Sequence, residues 1–137
     1  MDGVMAEVVA SFDDCSFART LGLRIISVEA GVVRVEMDTA RLLNRHGAVH
    51  GGAIFALADH AFGTAANLAG EEVALAAEIS YLRPASGLLV ARAERIAESA
   101  AASLYRVEVR QGDRLVALFS GHGFRLDRTA DSPVPTS

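Results

Sequence analysis

Apolar and polar positions alternate over several stretches of this chain, and the alternation gives way over a long block near the middle. Before it, residues 1–20 read as a short amphipathic helical segment ending near "TLGL", with Gly22 as its stop. A two-residue period follows. Leu23, Ile25 and Ser27 fall on one face, and Arg24, Ile26 and Val28 on the other. A turn at "EAG" leads into "VVRVEMD", where Val33, Val35 and Met37 oppose Val32, Arg34, Glu36 and Asp38. That is the pattern of a hairpin with one buried face. Thr39 to Val49 reads as a polar, glycine-containing loop.

The block without alternation runs from His50 to Ala69. Ile54, Leu57, Ala58, Ala61, Ala65 and Leu68 recur at three- and four-residue steps. The other side carries Ala53, Ala56, Gly63, Thr64 and Ala66 instead of charges. A helix that is apolar or small all round is a buried one. About 20 residues make a rod of roughly 30 Å, and Gly70 is placed to end it. Four strand candidates follow: "VALAAEISYL", stopping at Arg83-Pro84; "LLVARAERIA"; "SLYRVEVRQ"; and "RLVALFSGHGFRL". In the third, Tyr105, Val107 and Val109 should face inward and Arg106, Glu108 and Arg110 outward. Gly112-Asp113 supplies a two-residue turn into the fourth. Six strands in hairpin-like succession and one long helix predict an α+β fold, most simply a curved antiparallel sheet rolled around the helix. With no repeat or linker, residues 1–137 should form a single domain, and the polar, proline-bearing 128–137 a disordered tail.

Composition narrows the partners. A net charge of −4 argues against nucleic acid or an anionic membrane as the main partner. The block from His50 to Ala69 is about long enough to span a bilayer. Asp59, His60 and Asn67 would then lie at expensive depths, so no membrane span is expected. The acidic start lacks the features of a signal peptide. Cys15, the sole cysteine, forms no intrachain disulfide and no cysteine-based metal motif, which fits a reducing, cytoplasmic setting.

Chemistry concentrates at the helix. His50-Gly51-Gly52 falls where loop becomes helix, and the first turn of a helix offers free N–H groups and partial positive charge. Glycines there let a substrate approach the backbone, which makes the Gly51 N–H a candidate oxyanion donor. The plainer reading is a glycine-rich start packed tightly on a strand. Asp59 tips the balance toward function, because an acid in an apolar helix is costly unless something pairs with it or uses it. Gly51 and Asp59 lie roughly 12 Å apart along one helix. If both serve one reaction centre, two copies of the helix must lie antiparallel, with Gly51 of one level with Asp59 of the other.

"LNRHGAVHGGAIFALADHAF", followed by "YLRPA", resembles the hotdog-fold acyl-CoA thioesterases, and within them the PaaI-type enzymes of the phenylacetate pathway. The resemblance covers about Leu21 to Leu126. It implies a hotdog fold, hydrolysis of an aryl-acetyl or related acyl-CoA, and a homodimer with shared active sites that pairs into a homotetramer. No cofactor is implied, since coenzyme A belongs to the substrate. In this resemblance Asp59 is the catalytic carboxylate, acting as general base or nucleophile, and Gly51 donates to the thioester oxygen from the other subunit. Asn44 helps position the carbonyl or the water, and His50 shapes the loop. Gly52, His60, Phe62 and Arg83 are the implied substrate-binding positions, with Arg83 toward the coenzyme A end. His60 departs from the small hydroxyl residue often found in relatives, which leaves packing and pocket lining both open. Phe55, Leu68 and Leu82 are further candidates for pocket walls.

Three rival readings follow from the same residues. His46 and His50 stand four apart with Asp59 and His60 downstream, but no glutamate follows the first histidine as in a zinc-protease helix, so no metal is expected. A hotdog-fold hydratase or dehydratase would use a histidine and an acid on the acyl chain. A non-catalytic acyl-CoA-binding protein would not need Asp59.

Overall fold

The structure, a computed structural model, describes residues 1–126; the disorder expected of residues 128–137 lies outside the described residues. The N-terminal segment forms two helices, α1 (Gly3–Asp13) and α2 (Ser16–Leu21), where one was expected. The break has a tertiary cause: Asp13 Oδ1 accepts the Ile25 N–H at 2.9 Å and ties the end of α1 to the first strand. Gly22 stops α2 in the left-handed region, as expected.

The hairpin of β1 (Arg24–Glu29) and β2 (Val32–Asp38) turns through Ala30 and Gly31, both at positive φ. Val33, Val35 and Met37 are fully buried. β1 departs from strict alternation. A bulge between Ile25 and Ser27 shifts the register, so Val28 joins Ile25 against the core although the period placed them on opposite faces.

Next come α3 (Gly51–Ala66), β3 (Glu72–Tyr81), β4 (Leu88–Glu98), β5 (Ala102–Gln111) and β6 (Arg114–Arg125). The six strands form one antiparallel sheet in the order β1-β2-β4-β5-β6-β3. Because the chain crosses from β2 to the far edge through α3, the helix lies over the sheet and packs against every strand from β2 to β6. Tyr105, Val107 and Val109 point into this core, as their alternation predicts.

α3 has 16 residues, about 24 Å, and so falls short of the expected length. Asn67 ends it, ahead of Gly70. The Asn67 side-chain amide donates to the Gly63 carbonyl at 2.8 Å, and its Oδ1 accepts the Glu72 N–H at 3.0 Å. A short amide that competes for backbone groups closes the helix and launches β3 at once.

Burial around α3 is incomplete. Gly51, Gly52, Phe55, Asp59 and Gly63 are the helix residues left uncovered or half-covered. Four of them, at 52, 55, 59 and 63, follow three- and four-residue steps and form one open stripe. β3 is exposed too. It is an edge strand paired only with β6, and its apolar run leaves Leu75 65% and Tyr81 52% exposed. No helix among the described residues is long and apolar enough to cross a membrane.

Candidate active site

The loop before α3 is held from both sides. His50 N–H donates to the Leu42 carbonyl at 2.8 Å, and Val49 N–H to the Ala85 carbonyl at 3.0 Å. At its tip Asn44 Oδ1 accepts the N–H groups of His46 and Ala48, at 2.8 and 3.2 Å. Both lone pairs of that oxygen are engaged, so the polar end Asn44 keeps for a ligand is its NH2, a donor.

His50 is the N-cap of α3, with Nδ1 accepting the Gly52 N–H at 2.9 Å. An imidazole that accepts on Nδ1 carries its proton on Nε2. The His50 carbonyl accepts from Ala53 and Ile54. Of the two glycine amides, Gly52 is therefore spent on the cap, while the Gly51 N–H has no acceptor among the described residues. Gly52 is exposed, and a Cβ there would stand 3.0 Å from His50 Nδ1, so any larger residue would press on the cap.

The sequence assigned no role to Tyr81, which closes over this helix start. Its hydroxyl donates to the Gly51 carbonyl at 2.9 Å, and its ring lies 3.3 Å from where a Gly51 Cβ would stand. Arg83 is two residues further along, exposed at the same end of the fold. Asn44, His50, Gly51, Gly52 and Arg83 thus belong to one end of α3.

Asp59 lies two turns away, and here the expectation of a buried acid is corrected. The sheet covers the other faces of α3, and Asp59 sits on the stripe left open, so the residue is solvent-exposed. Its carboxyl group is nonetheless partly shielded from water. Lost hydration there pushes its pKa above the ordinary aspartate value of 3.8. The carboxylate has no hydrogen-bond partner among the described residues. Beside it opens a pocket of about 240 Å³, walled by Phe12, His60, Phe62, Gly63 and the start of β3.

His60 is 8% exposed and meets the Phe12 ring edge-on at 5.7 Å. Burial lowers its pKa, and the negative charge of Asp13 partly offsets this, so the ring is neutral at pH 7. Its Nε2 is buried without a partner among the described residues. Phe62 reaches the pocket wall but is mainly core, 2% exposed and packed on Tyr105 and Phe119. Phe12 is a second residue the sequence did not single out; only its place in the first amphipathic segment hinted at it. Of the other wall candidates, Phe55 packs on Phe119, Leu68 is buried and Leu82 is exposed.

Within one chain the structure keeps the two groups apart: amide donor at one end, carboxylate about 12 Å along the axis. Two roomier hollows, of about 690 and 770 Å³, lie at the C-terminal end of α3 and contain neither Gly51 nor Asp59. Polar side chains in the first are tied to one another, as in the Arg95–Glu98 pair at 3.3 Å. Among the described residues no three His, Cys, Asp or Glu side chains gather as a metal site.

Comparison with known proteins gives these groups a context. A family described as a domain of unknown function (DUF4442) matches residues 8–117. The acyl-coenzyme A thioesterase PaaI of Escherichia coli K12 is 39% identical over 125 residues, covering 88% of this chain and 89% of the relative. The structure of the E. coli PaaI protein from the phenylacetic acid degradation operon superposes with a TM-score of 0.83 at 35% identity, covering 90% of this chain and 94% of that one. A mutant of the phenylacetic acid degradation protein PaaI from Thermus thermophilus gives 0.78 at 40% identity, over 82% of this chain and 100% of its own. A sheet wrapped on one long helix is thus shared architecture, and the chain belongs to the PaaI-type acyl-CoA thioesterases of the hotdog fold.

Proposed function

We propose that this chain hydrolyses the thioester of an aryl-acetyl-CoA, phenylacetyl- or hydroxyphenylacetyl-like, to the free acid and coenzyme A. Each active site is shared by two chains of a homodimer. One observation carries the reading: among the described residues, the start of α3 holds an amide donor without an acceptor and, eight residues on, the open stripe holds a carboxylate without a partner.

Attack of water on a thioester gathers negative charge on the carbonyl oxygen, and the Gly51 N–H at the positive end of α3 is placed to receive it. Asn44, held so that it can only donate, positions the carbonyl or the water, and His50 fixes the turn through the cap. Asp59 of the other chain takes the proton from water or attacks the carbonyl itself; either route needs it ionised. The thiolate departs with the coenzyme. No cofactor enters this scheme.

His60, Phe62 and the exposed surface of Gly52 contribute to the acyl site, and Arg83 faces the phosphates of coenzyme A. The exposed apolar run of β3 and the open stripe of α3 support the dimer, since apolar surface of this kind is expected to be covered. Pairing of dimers into a tetramer, a cytoplasmic setting and a place in phenylacetate breakdown extend the same reading from the relatives.

The test is free-thiol release from a panel of acyl-CoAs. The wild-type chain should release coenzyme A fastest from aryl-acetyl thioesters. Asp59→Ala should lower turnover about 10²- to 10⁴-fold while acyl-CoA binding is retained. Full turnover in that variant refutes the assignment. Binding without thiol release by the wild type would identify an acyl-CoA-binding protein, and hydration of an enoyl-CoA without release a hydratase.

A further inference from the structure

We infer that Tyr81 is a positioning residue for the reaction: its hydroxyl fixes the Gly51–Gly52 peptide and so holds the Gly51 amide in its donating orientation. The inference rests on the proposed thioesterase reading and adds a residue that no step of it used.

Two successive glycines are the least constrained backbone a helix can begin with. The first turn also lacks the intrahelical bonds to its N–H groups that would stiffen it. Left to itself, such a start frays, and a donor that frays stabilises an oxyanion poorly. In this chain the peptide plane between Gly51 and Gly52 is tied at both ends. Its carbonyl accepts the Tyr81 hydroxyl at 2.9 Å, and its N–H donates to His50 Nδ1 at 2.9 Å. The preceding plane is tied by its carbonyl, which accepts from Ala53 and Ile54 at 2.9 and 3.2 Å. With both planes fixed, the direction of the Gly51 N–H is fixed as well.

The clamp is built from outside the helix. Tyr81 is the last residue of β3, in register with Ala117 of β6, and the Leu82 N–H continues the ladder to the Val116 carbonyl at 2.8 Å. A strand tied to the sheet thus carries the hydroxyl to the helix. The ring adds steric definition. Tyr81 Cζ, Cε1 and Oη stand 3.3, 3.4 and 3.4 Å from the place of a Gly51 Cβ, so glycine and tyrosine fit as a pair. A hydroxyl donated to a carbonyl also polarises that peptide, strengthening the N–H bond to His50 at its other end.

The experiment uses the full chain with Tyr81→Phe, which keeps the ring and removes the donor, beside the wild type and Tyr81→Leu. In thiol release, Tyr81→Phe should lower kcat about 5- to 20-fold with KM within about twofold, because only the charged transition state draws on the oriented amide. Amide hydrogen exchange in the peptide containing Gly51 and Gly52 should accelerate in Tyr81→Phe while exchange in β3 and β6 stays as in the wild type. A merely structural role in the sheet would change the latter instead. Tyr81→Leu should lose at least as much kcat as Tyr81→Phe. An unchanged kcat with unchanged exchange at 51–52 overturns the inference, as does a raised KM at unchanged kcat, which would make Tyr81 a substrate contact. If the wild type releases no thiol, the thioesterase reading fails, while the exchange measurement still decides whether Tyr81 holds the glycine turn.

Discussion

Gly121 lies in β6, between Tyr105 of β5 and Ala77 of β3, with Phe62 of α3 directly above it. A Cβ added there would stand 2.8, 2.9 and 2.9 Å from three atoms of the Phe62 ring. The ring has little room to yield, being 2% exposed and packed on Tyr105 and Phe119 at centroid distances of 5.6 and 5.8 Å. β6 cannot retreat easily either, since it is paired on both sides. Overpacking of this sort costs about 1–3 kcal/mol, and the stiffer unfolded chain of an alanine variant returns about 0.4–1. Taking the middle of both ranges, Gly121→Ala should therefore lose about 1.3 kcal/mol, or roughly 4–5 °C in Tm for a chain of this size. Thermal unfolding at fixed protein concentration measures it. Adding Phe62→Leu should recover part of the loss, so that the pair couples favourably in a double-mutant cycle. A Gly121→Ala protein as stable as the wild type would refute the reasoning, since the helix could not then rest on this glycine.

Two further predictions concern the open stripe of α3. The Asp59 pKa is raised in the fold, so ionising it costs stability: the penalty is absent below the unfolded value, grows as pH rises through the folded pKa, and persists above it. Asp59→Asn should thus raise Tm at pH 7 and lose that advantage toward pH 3, and the acid limb of wild-type turnover should lie above 3.8; a lower Tm for Asp59→Asn at pH 7 counts against this. In a Cys15→Ser background, Phe55→Cys should give a covalent dimer under mild oxidation, and chains that stay unlinked on a non-reducing gel while eluting as dimers would exclude the antiparallel register.

What could be read from the chain beforehand follows a physical division. Alternation marks a strand because one face is buried, and it located the β1–β2 hairpin and β5, whereas β3 was legible as a nearly continuous apolar run stopped by Arg83-Pro84. The positive-φ turns at Gly31 and Gly112 were legible because they need residues tolerant of that conformation. The misreadings share a different origin. The break between α1 and α2 depends on a bond from Asp13 to the distant Ile25, and the end of α3 on Asn67 reaching to Glu72. The bulge in β1 is set by its pairing with β2. Local periodicity holds no record of such bonds. At the site, His50 and the glycines were recognisable as a helix start. Tyr81, which bonds Gly51 across 30 positions, was visible only as an aromatic ending a strand.

Asp59 shows most clearly what a sequence encodes. Its apolar neighbourhood correctly signalled an acid out of place, yet burial by its own sheet was the wrong inference from it. Small and apolar residues on every side of a helix record everything that covers it, including a second copy of the chain. The proposed dimer puts Gly51 of one helix level with Asp59 of the other, and antiparallel geometry then fixes all other pairs. Positions whose numbers sum to 110 face each other, so position 55 faces itself across the two-fold axis. Phe55 lies on the open stripe, its ring leaning inward onto Phe119 at 5.4 Å, which leaves the axis free for close approach of two backbones. A two-fold contact is self-complementary: whatever brings one amide to one carboxylate does so twice. The uncovered stripe thus accounts for the exposed acid, and the proposed two-fold contact brings that acid to the unused amide of the other helix start.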